Sequence, residues 1–277
     1  MIELIEDKVI TEDVADYAAM LKDCLVDLDK ELAPIETIVN VGFDYRGKNV
    51  PAYIGGNTSK YTEHFVGTNR EERYIISLDT EQGEFYAQRS FRRVAEMVGK
   101  KYEKYLPIQL RKKSVADRLN LIRWLIYESP YKGKIDLITI DGLADLVVNT
   151  NDIITSSELA EEVMKWTAEG LHVCFILHKN NGSQKARGHI GTVSTIKAET
   201  LISIDNITDD AGNILEKNTV KISCSHSRGM PFEDFYLTVN EKGLPFTHTD
   251  PSDNIFRTSE EKKTLPVASL KDAFGED

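Results

Sequence analysis

Three apolar segments of this sequence each end in polar side chains of the kinds that carry chemistry. The segment RYIISLD is followed by Thr80 and Glu81, IDLITID ends on Asp141, and LHVCFILH ends on His178. If these segments are parallel strands, their carboxyl ends meet at the edge of the sheet where open α/β folds bind ligands. A carboxylate at Asp141 could then hold Mg²⁺, and Glu81 could orient and deprotonate a water molecule. His178 could sense a phosphate, or it could simply hydrogen-bond the adjacent loop.

One polar residue after an apolar strand is weak evidence, because such residues are often ordinary helix caps or loop residues. Three of them, at the ends of three predicted parallel strands, favour a binding site.

The segments that would position these side chains alternate between strand and helix patterns. This alternation predicts an α/β fold with a parallel sheet covered by helices on both faces. Three later segments have the pattern of strands, and we expect them to extend the sheet in antiparallel pairing. The predicted strands are 73–79, 135–141, 171–178, 199–207, 219–227 and 235–241, and the predicted helices are 85–102, 114–128 and 158–170, the last preceded by a capping box of Thr155 and Glu158.

The N-terminal part of the chain lacks this alternation. Residues 11–33 carry apolar residues at helical spacing, which predicts an amphipathic helix that Pro34 ends. Residues 35–41 and 50–54 have the pattern of short strands joined by a turn. We therefore expect three parts: an N-terminal helical segment (1–33), an α/β core (34–257) and a polar C-terminal tail (258–277).

Composition limits the classes of function. The chain has 277 residues, 41% of them hydrophobic, and a net charge of −11, which argues against coating nucleic acid with the whole surface but allows a local basic loop. No apolar run is long enough to cross a bilayer, and the acidic N-terminus resembles neither a secretory signal nor a transit peptide. The three cysteines are widely spaced, which indicates reduced thiols. We expect a cytoplasmic protein without a membrane partner.

Four stretches of the sequence resemble the motifs of one protein family. SLDTEQGEFYAQR, DLITIDGLADLV, ILHKNNGSQKARGHIGT and SHSRGMPFEDF occur in the order found in RecA-like P-loop ATPases of bacterial mobile elements. These are relatives of the RepA-type hexameric helicases and include proteins encoded on mobilizable transposons of Bacteroides. The resemblance spans roughly residues 35–250. It implies a RecA-like core, ATP and Mg²⁺ as ligands, a ring-shaped homo-oligomer such as a hexamer, and a role in replication or transfer of mobile DNA.

The same resemblance implies roles for individual residues. Glu81 matches the catalytic glutamate of the family, and Asp141 matches its Walker B aspartate, the residue that holds the metal. His178 matches the polar sensor at the end of the following strand. Arg228, between two late strands, could act as an arginine finger toward a neighbouring subunit, and it could equally be a plain surface arginine.

The phosphate loop that such a protein needs is not found in its usual form. The pattern G-x-x-x-x-G-K-[ST] does not occur, and the nearest candidate begins at Gly55 and places Thr62 where the Mg²⁺-binding hydroxyl should be. In that frame Tyr61 stands at the lysine position and Lys60 lies one place early. Residues 63–73 are also too few for the helix that should follow.

A second alignment fits the family better. It places residues 56–59 just before the phosphate loop and Lys60 just after the first helix, so that about two dozen residues, a loop and a helix, would be absent between them. Either the gene has lost this block or the sequence in hand is incomplete there. Because the loss of a core-covering helix would expose one face of the sheet, we expect the sequence to be incomplete.

The segment HKNNGSQKARGHIGT (178–192) is rich in glycine and carries local positive charge. Lys179, Lys185, Arg187 and His189 would face the central channel of a RecA-like ring, where single-stranded DNA is the natural ligand. The alternative is a solvated loop with scattered charges. The basic run at 100–113 has the character of a solvated helix end and loop.

Three functions therefore remain open. The first is an ATPase that acts on DNA for a mobile element. The second is a scaffold or DNA-binding subunit that kept the fold and lost its phosphate loop. The third, a phosphotransferase acting on a small molecule, is disfavoured because no insertion for a second substrate is apparent in the sequence.

Overall fold

The computed structural model describes residues 12–30, 73–98, 103–179, 186 and 188–248. The predicted strands at 35–41 and 50–54, the predicted tail at 258–277 and both predicted domain boundaries lie outside these ranges. The elements within them are α1 (Glu12–Cys24), β1 (Tyr74–Asp79), α2 (Glu84–Val98), β2 (Tyr105–Gln109), α3 (Val115–Tyr127), β3 (Ile135–Asp141), a 3₁₀ helix (Leu143–Leu146), α4 (Ile153–Ala168), β4 (His172–Ile176), α5 (Gly188–Lys197), β5 (Thr200–Asn206), β6 (Thr219–Ser227), β7 (Phe235–Val239) and β8 (Pro245–His248).

The first four strands form a parallel sheet in the order β2-β1-β3-β4. The two central strands, β1 and β3, are buried along nearly their whole length, as their continuous apolar runs predict for a sheet covered on both faces. Their register pairs Asp79 with Asp141, so both strands end at the same level. The predicted α/β class with a mostly parallel sheet is confirmed.

Helices cover both faces of this sheet. On one face, Ala87, Phe91 and Val94 of α2 pack with Ile75 and Leu137. The opposite face carries the larger core, to which α1, α3 and α4 contribute Leu21, Leu121, Trp124, Leu125, Leu159 and Trp166 against Ile76, Leu78, Ile138 and Ile140 of the strands. Successive strand residues point to opposite faces, which separates the two cores. No helix within the described ranges combines the length and apolar character needed to span a bilayer.

The N-terminal helix is shorter than predicted. It ends at Cys24 rather than near residue 33, because the chain beyond it bonds to the sheet instead of to itself. The amide of Val26 donates to the carbonyl of Pro107 on β2 at 2.9 Å. Side chains of α2 fix the rest of the segment, with Gln88 donating to the carbonyls of Asp27 and Lys30, and Arg92 to those of Leu28 and Lys30. Residues 25–30 thereby cover the outer edge of β2.

The late strands do not extend the parallel sheet, contrary to the prediction. They form a second, antiparallel sheet in the order β5-β6-β7-β8, with a core of Val220, Ile222, Phe235 and Leu237. This sheet meets the α/β layers through α2, where Met97 packs with Leu244 and Phe246. Strand patterns define which residues are extended, but the choice of pairing partner depends on contacts that are distant in the sequence.

Helix α4 begins earlier than predicted. Asp152 is its N-cap, and the Asp152 carboxylate accepts hydrogen bonds from the Thr155 amide at 2.8 Å and from the Thr155 hydroxyl at 3.0 Å. The predicted capping box of Thr155 and Glu158 was therefore wrong, because both residues lie inside the helix. The hydrogen bonds from the Thr155 amide and hydroxyl lower the pKa of the Asp152 carboxyl below its usual value.

This cap predicts a pH-dependent stability. A carboxyl whose pKa is lowered by folding contributes its full stability above the unfolded pKa, about 3.9 for aspartate. That contribution is lost as the pH falls through the lower, folded pKa. Asp152→Asn keeps an acceptor for the Thr155 amide but does not titrate. In urea unfolding, the stability difference between parent and variant should shift against the parent as the pH falls from about 5 to about 3. A difference that is the same at every pH would contradict this assignment.

Candidate functional site

The candidate site is built on the carboxyl ends of β1 and β3. Beyond the paired residues Asp79 and Asp141, the ladder continues by one bond, in which the Thr80 amide donates to the Asp141 carbonyl at 3.1 Å. Asp79 is fully buried, and its Oδ1 accepts hydrogen bonds from the amides of Glu81 at 3.0 Å and Gln82 at 2.8 Å. The turn that presents Glu81 is thus fixed by a buried carboxylate.

The Thr80 side chain joins this turn to the one that follows Asp141. Its hydroxyl lies 2.7 Å from the Asp141 carbonyl oxygen, 3.2 Å from that of Gly142 and 2.9 Å from Oδ2 of Asp145. Gly142 has a φ of 92°, and a Cβ there would lie 2.2 Å from the Thr80 hydroxyl oxygen and 2.9 Å from Cγ of Glu81. The two turns are therefore in contact, and glycine is the residue that fits between them.

The structure brings Glu81 and His178 together. Nε2 of His178 lies 3.3 Å from Oε2 of Glu81, with the histidine side chain 70% exposed and the glutamate 34% exposed. Since Glu81 also borders Gly142, the residue after Asp141, all three predicted strand-end residues lie at one edge of the sheet. A carboxylate held at this position, partly open to solvent, can accept a proton from a water molecule.

The acidic groups at this edge suit Mg²⁺ in chemical type. Asp141 is 7% exposed and ends a central strand, and Mg²⁺ is commonly held by one or two carboxylates with several waters. Within the described part of the chain, no three side chains among His, Cys, Asp and Glu are grouped so as to hold a metal by themselves. The fit is therefore to an ion bound largely through water and phosphate, not to a site formed wholly by protein. The candidate nucleotide residues Gly55, Lys60 and Thr62 lie outside the described residues.

The candidate DNA loop differs from the prediction at both ends. α5 begins at Gly188, so His189 belongs to a helix, and the His189 amide donates to the Thr150 carbonyl at 2.8 Å. At the other end, Lys179 forms an antiparallel bridge with Ala186 and its ammonium contacts both oxygens of the Asp205 carboxylate, at 2.6 and 2.8 Å. The segment is thus a closed loop with a structured base, not an open loop through residue 192. Lys185 and Arg187 lie outside the described residues.

Arg228 contacts its own chain. The Arg228 amide donates to the Glu199 carbonyl at 2.9 Å, and its guanidinium donates to the Ile196 carbonyl at 3.3 Å. It follows β6 near the end of α5, and its assignment as an arginine finger remains a prediction.

Sequence reasoning missed two residues that shape the site. Asp145, in the 3₁₀ helix, accepts from Thr80, and its carbonyl accepts from the Arg118 guanidinium at 2.8 Å. Arg118 also donates to the carbonyls of Leu110 and Arg111 at 3.1 Å, which ties the end of β2 to the 3₁₀ helix. A second acid four residues after Asp141 was visible in the sequence, but nothing local distinguishes Arg118 from other helix arginines.

Comparisons with known proteins give one kind of match. No family model matches the chain, and no curated protein matches it. Among solved structures, the ATPase domain of a replicative helicase is similar with a TM-score of 0.45 and 16% sequence identity, covering 64% of this chain and 75% of that chain. A likeness of this degree concerns the arrangement of helices and strands and does not by itself assign a ligand or an activity.

The contact at Gly142 predicts a large effect of a single methyl group. Gly142→Ala should destabilise the fold because alanine is strained at positive φ, by about 1–2 kcal/mol, and because its Cβ overlaps the Thr80 hydroxyl, which should add at least about 1 kcal/mol. Gly133→Ala is the matched control, since Gly133 also has a positive φ of 68° but nothing lies within 4 Å of the added Cβ. Urea unfolding of both variants gives the comparison. Equal losses for the two would show that the turns are not in the described contact.

Proposed function

We propose that this protein is a RecA-like ATPase that acts on DNA in the replication or mobilisation of a mobile genetic element. The observation that carries the proposal is the placement of the Glu81 carboxylate beside the turn of Asp141 and 3.3 Å from His178, at the carboxyl edge of a parallel sheet. Four motifs in family order support it. We also propose that it works as a ring-shaped homo-oligomer in the cytoplasm.

Each residue then has a chemical task. Glu81 orients the attacking water and accepts its proton, a role that requires a carboxylate within hydrogen-bond reach of that water. Asp141 holds Mg²⁺ through water, and the ion, when bound with nucleotide, neutralises charge that develops on the phosphates. His178 holds the Glu81 carboxylate from the side of β4. Arg228 would supply positive charge to the site of a neighbouring subunit, which requires it to leave the Ile196 carbonyl.

A second candidate function rests on a specific observation. The phosphate-loop pattern is absent, and Tyr61 cannot supply the point charge that lysine gives to the β- and γ-phosphates. A chain complete as written would therefore suit a non-hydrolysing scaffold or a DNA-binding subunit that kept the fold. Sequencing of the gene across residues 55–65, or an intact mass of the natural protein, separates the two possibilities.

The role of Glu81 predicts the kinetics of one variant. In the natural full-length protein, Glu81→Gln should bind MgATP with nearly the parent affinity but lower kcat by about 10²–10⁴-fold, because the amide cannot accept the proton. Glu161→Gln, on the exposed side of α4, is the matched control and should keep the parent rate. The measurements are steady-state hydrolysis and equilibrium binding of a fluorescent ATP analogue. Hydrolysis by Glu81→Gln at the parent rate would remove Glu81 from the chemistry, and a parent that neither binds nor hydrolyses ATP would favour the scaffold.

The loop at 179–189 predicts a salt-dependent affinity for single-stranded DNA. Because Asp205 already neutralises Lys179, binding should depend mainly on Lys185 and Arg187, so the slope of log K against log salt should be about −1.4 per subunit at roughly −0.7 per phosphate contact. Replacing these two residues by alanine should abolish most of the affinity and the slope. Lys132→Ala and Lys165→Ala together are the control for the same loss of charge. Fluorescence anisotropy across a salt series measures both quantities, and an unchanged slope in the loop variant would place DNA elsewhere, with 100–113 the next candidate.

A further inference from the structure

We propose that Thr80 is a positioning residue that holds the Glu81 carboxylate in register with the Asp141 turn. This inference rests on the proposed ATPase function for its catalytic consequence, while its structural part concerns the chain alone. Thr80 touches neither water nor nucleotide in this account and acts through its neighbour in the sequence. It was quoted in the sequence only as one of several polar residues after β1.

The geometry around the Thr80 hydroxyl is that of a buried junction. The residue is 2% exposed, and its oxygen lies within 3.2 Å of three acceptors: the carbonyls of Asp141 and Gly142 and the carboxylate of Asp145. A hydroxyl carries one proton, so the three acceptors share a single donor and are drawn around it. Since the acceptors lie 61, 62 and 65 residues away in the sequence, this one side chain connects two otherwise separate turns.

The position of Glu81 follows from this junction. Its amide is held from below by the Asp79 carboxylate, and its Cγ lies against Gly142 on the turn that Thr80 binds. Without the hydroxyl, the buried carbonyl of Asp141 and the Asp145 carboxylate lose a donor, and a buried polar group without a partner is unfavourable enough to drive local rearrangement. The Asp141 turn would then move away from Glu81. His178 on the opposite side of Glu81 would lose its present distance to the carboxylate.

A displacement of this kind affects rate more than binding. A shift of about 1 Å in a catalytic group can reduce the rate about 10²-fold, because the reacting atoms no longer meet in line. Substrate affinity depends on other groups, chiefly those that hold the phosphates. We therefore expect loss of the hydroxyl to lower kcat and to leave KM for ATP nearly unchanged.

The test compares three variants of the natural full-length protein. Thr80→Val keeps the shape and removes the hydroxyl, and Thr80→Ser keeps the hydroxyl and removes the methyl. Thr139→Val is the matched control, because the Thr139 hydroxyl also forms a buried hydrogen bond between β3 and β1, to Ser77 at 2.8 Å, but in the middle of the sheet. Each variant is characterised by kcat and KM for ATP hydrolysis, and by the ring signals of His178 in proton–nitrogen correlation spectra of the nucleotide-free protein. A His178→Gln variant identifies those signals.

The proposal expects Thr80→Val to lower kcat about 10- to 100-fold with little change in KM, and to shift the His178 ring signals. Thr80→Ser should stay within about threefold of the parent rate and keep the parent signals, as should Thr139→Val despite a lower melting temperature. Parent-like His178 signals and kcat in Thr80→Val would overturn the proposal, as would equal effects in Thr139→Val. If Thr80→Val does not fold, Thr80→Ala removes the hydroxyl without bulk and gives the same comparison. A parent without ATPase activity would refute the proposed function, and the His178 signals would still decide the role of Thr80.

Discussion

The pairing of β1 with β3 is the constraint on which the rest of this structure depends. The two strands run parallel in a register that places Asp79 opposite Asp141, and one further backbone bond from Thr80 extends the ladder past the strands. A register shift by one residue would exchange the faces of every side chain on a strand, so the buried residues on both faces fix this register strongly. The polar residues that follow the strands are placed by the packing of apolar residues that precede them.

The surrounding elements preserve that register from several sides. α2 covers one face, α1, α3 and α4 cover the other, and residues 25–30 close the free edge of β2 through bonds from α2. Arg118 fixes the end of β2 against the 3₁₀ helix that carries Asp145. On the side of β4, the ion pair of Lys179 with Asp205 attaches the segment after His178 to the antiparallel sheet. The strand ends are thus rigidly mounted, while His178 itself stays largely exposed.

The sequence was informative wherever the signal is local. Continuous apolar runs identified β1, β3 and β4 and therefore the polar residues at their ends, and Ser114 with Asp117 does form a capping box at the start of a helix predicted from residue 114. The start of α4 was misjudged because Asp152 and Thr155 are both good capping residues and only the fold selects between them. The separate antiparallel sheet, the ion pair of Lys179 and the junction at Thr80 all join residues far apart in the sequence, so no local pattern could indicate them.

The central claim is that nucleotide binds at the carboxyl edge of the parallel sheet, beside Gly142. The most direct measurement uses Mn²⁺ in place of Mg²⁺ with a non-hydrolysable ATP analogue, since the paramagnetic ion broadens the amide signals of nearby residues in nitrogen-labelled protein. Gly142 and Gly133 flank the two ends of β3, which makes them an internal pair. The account predicts that the amides of Thr80 and Gly142 broaden during the titration while that of Gly133 stays sharp. Broadening at Gly133 equal to that at Gly142, or no broadening at either, would contradict it.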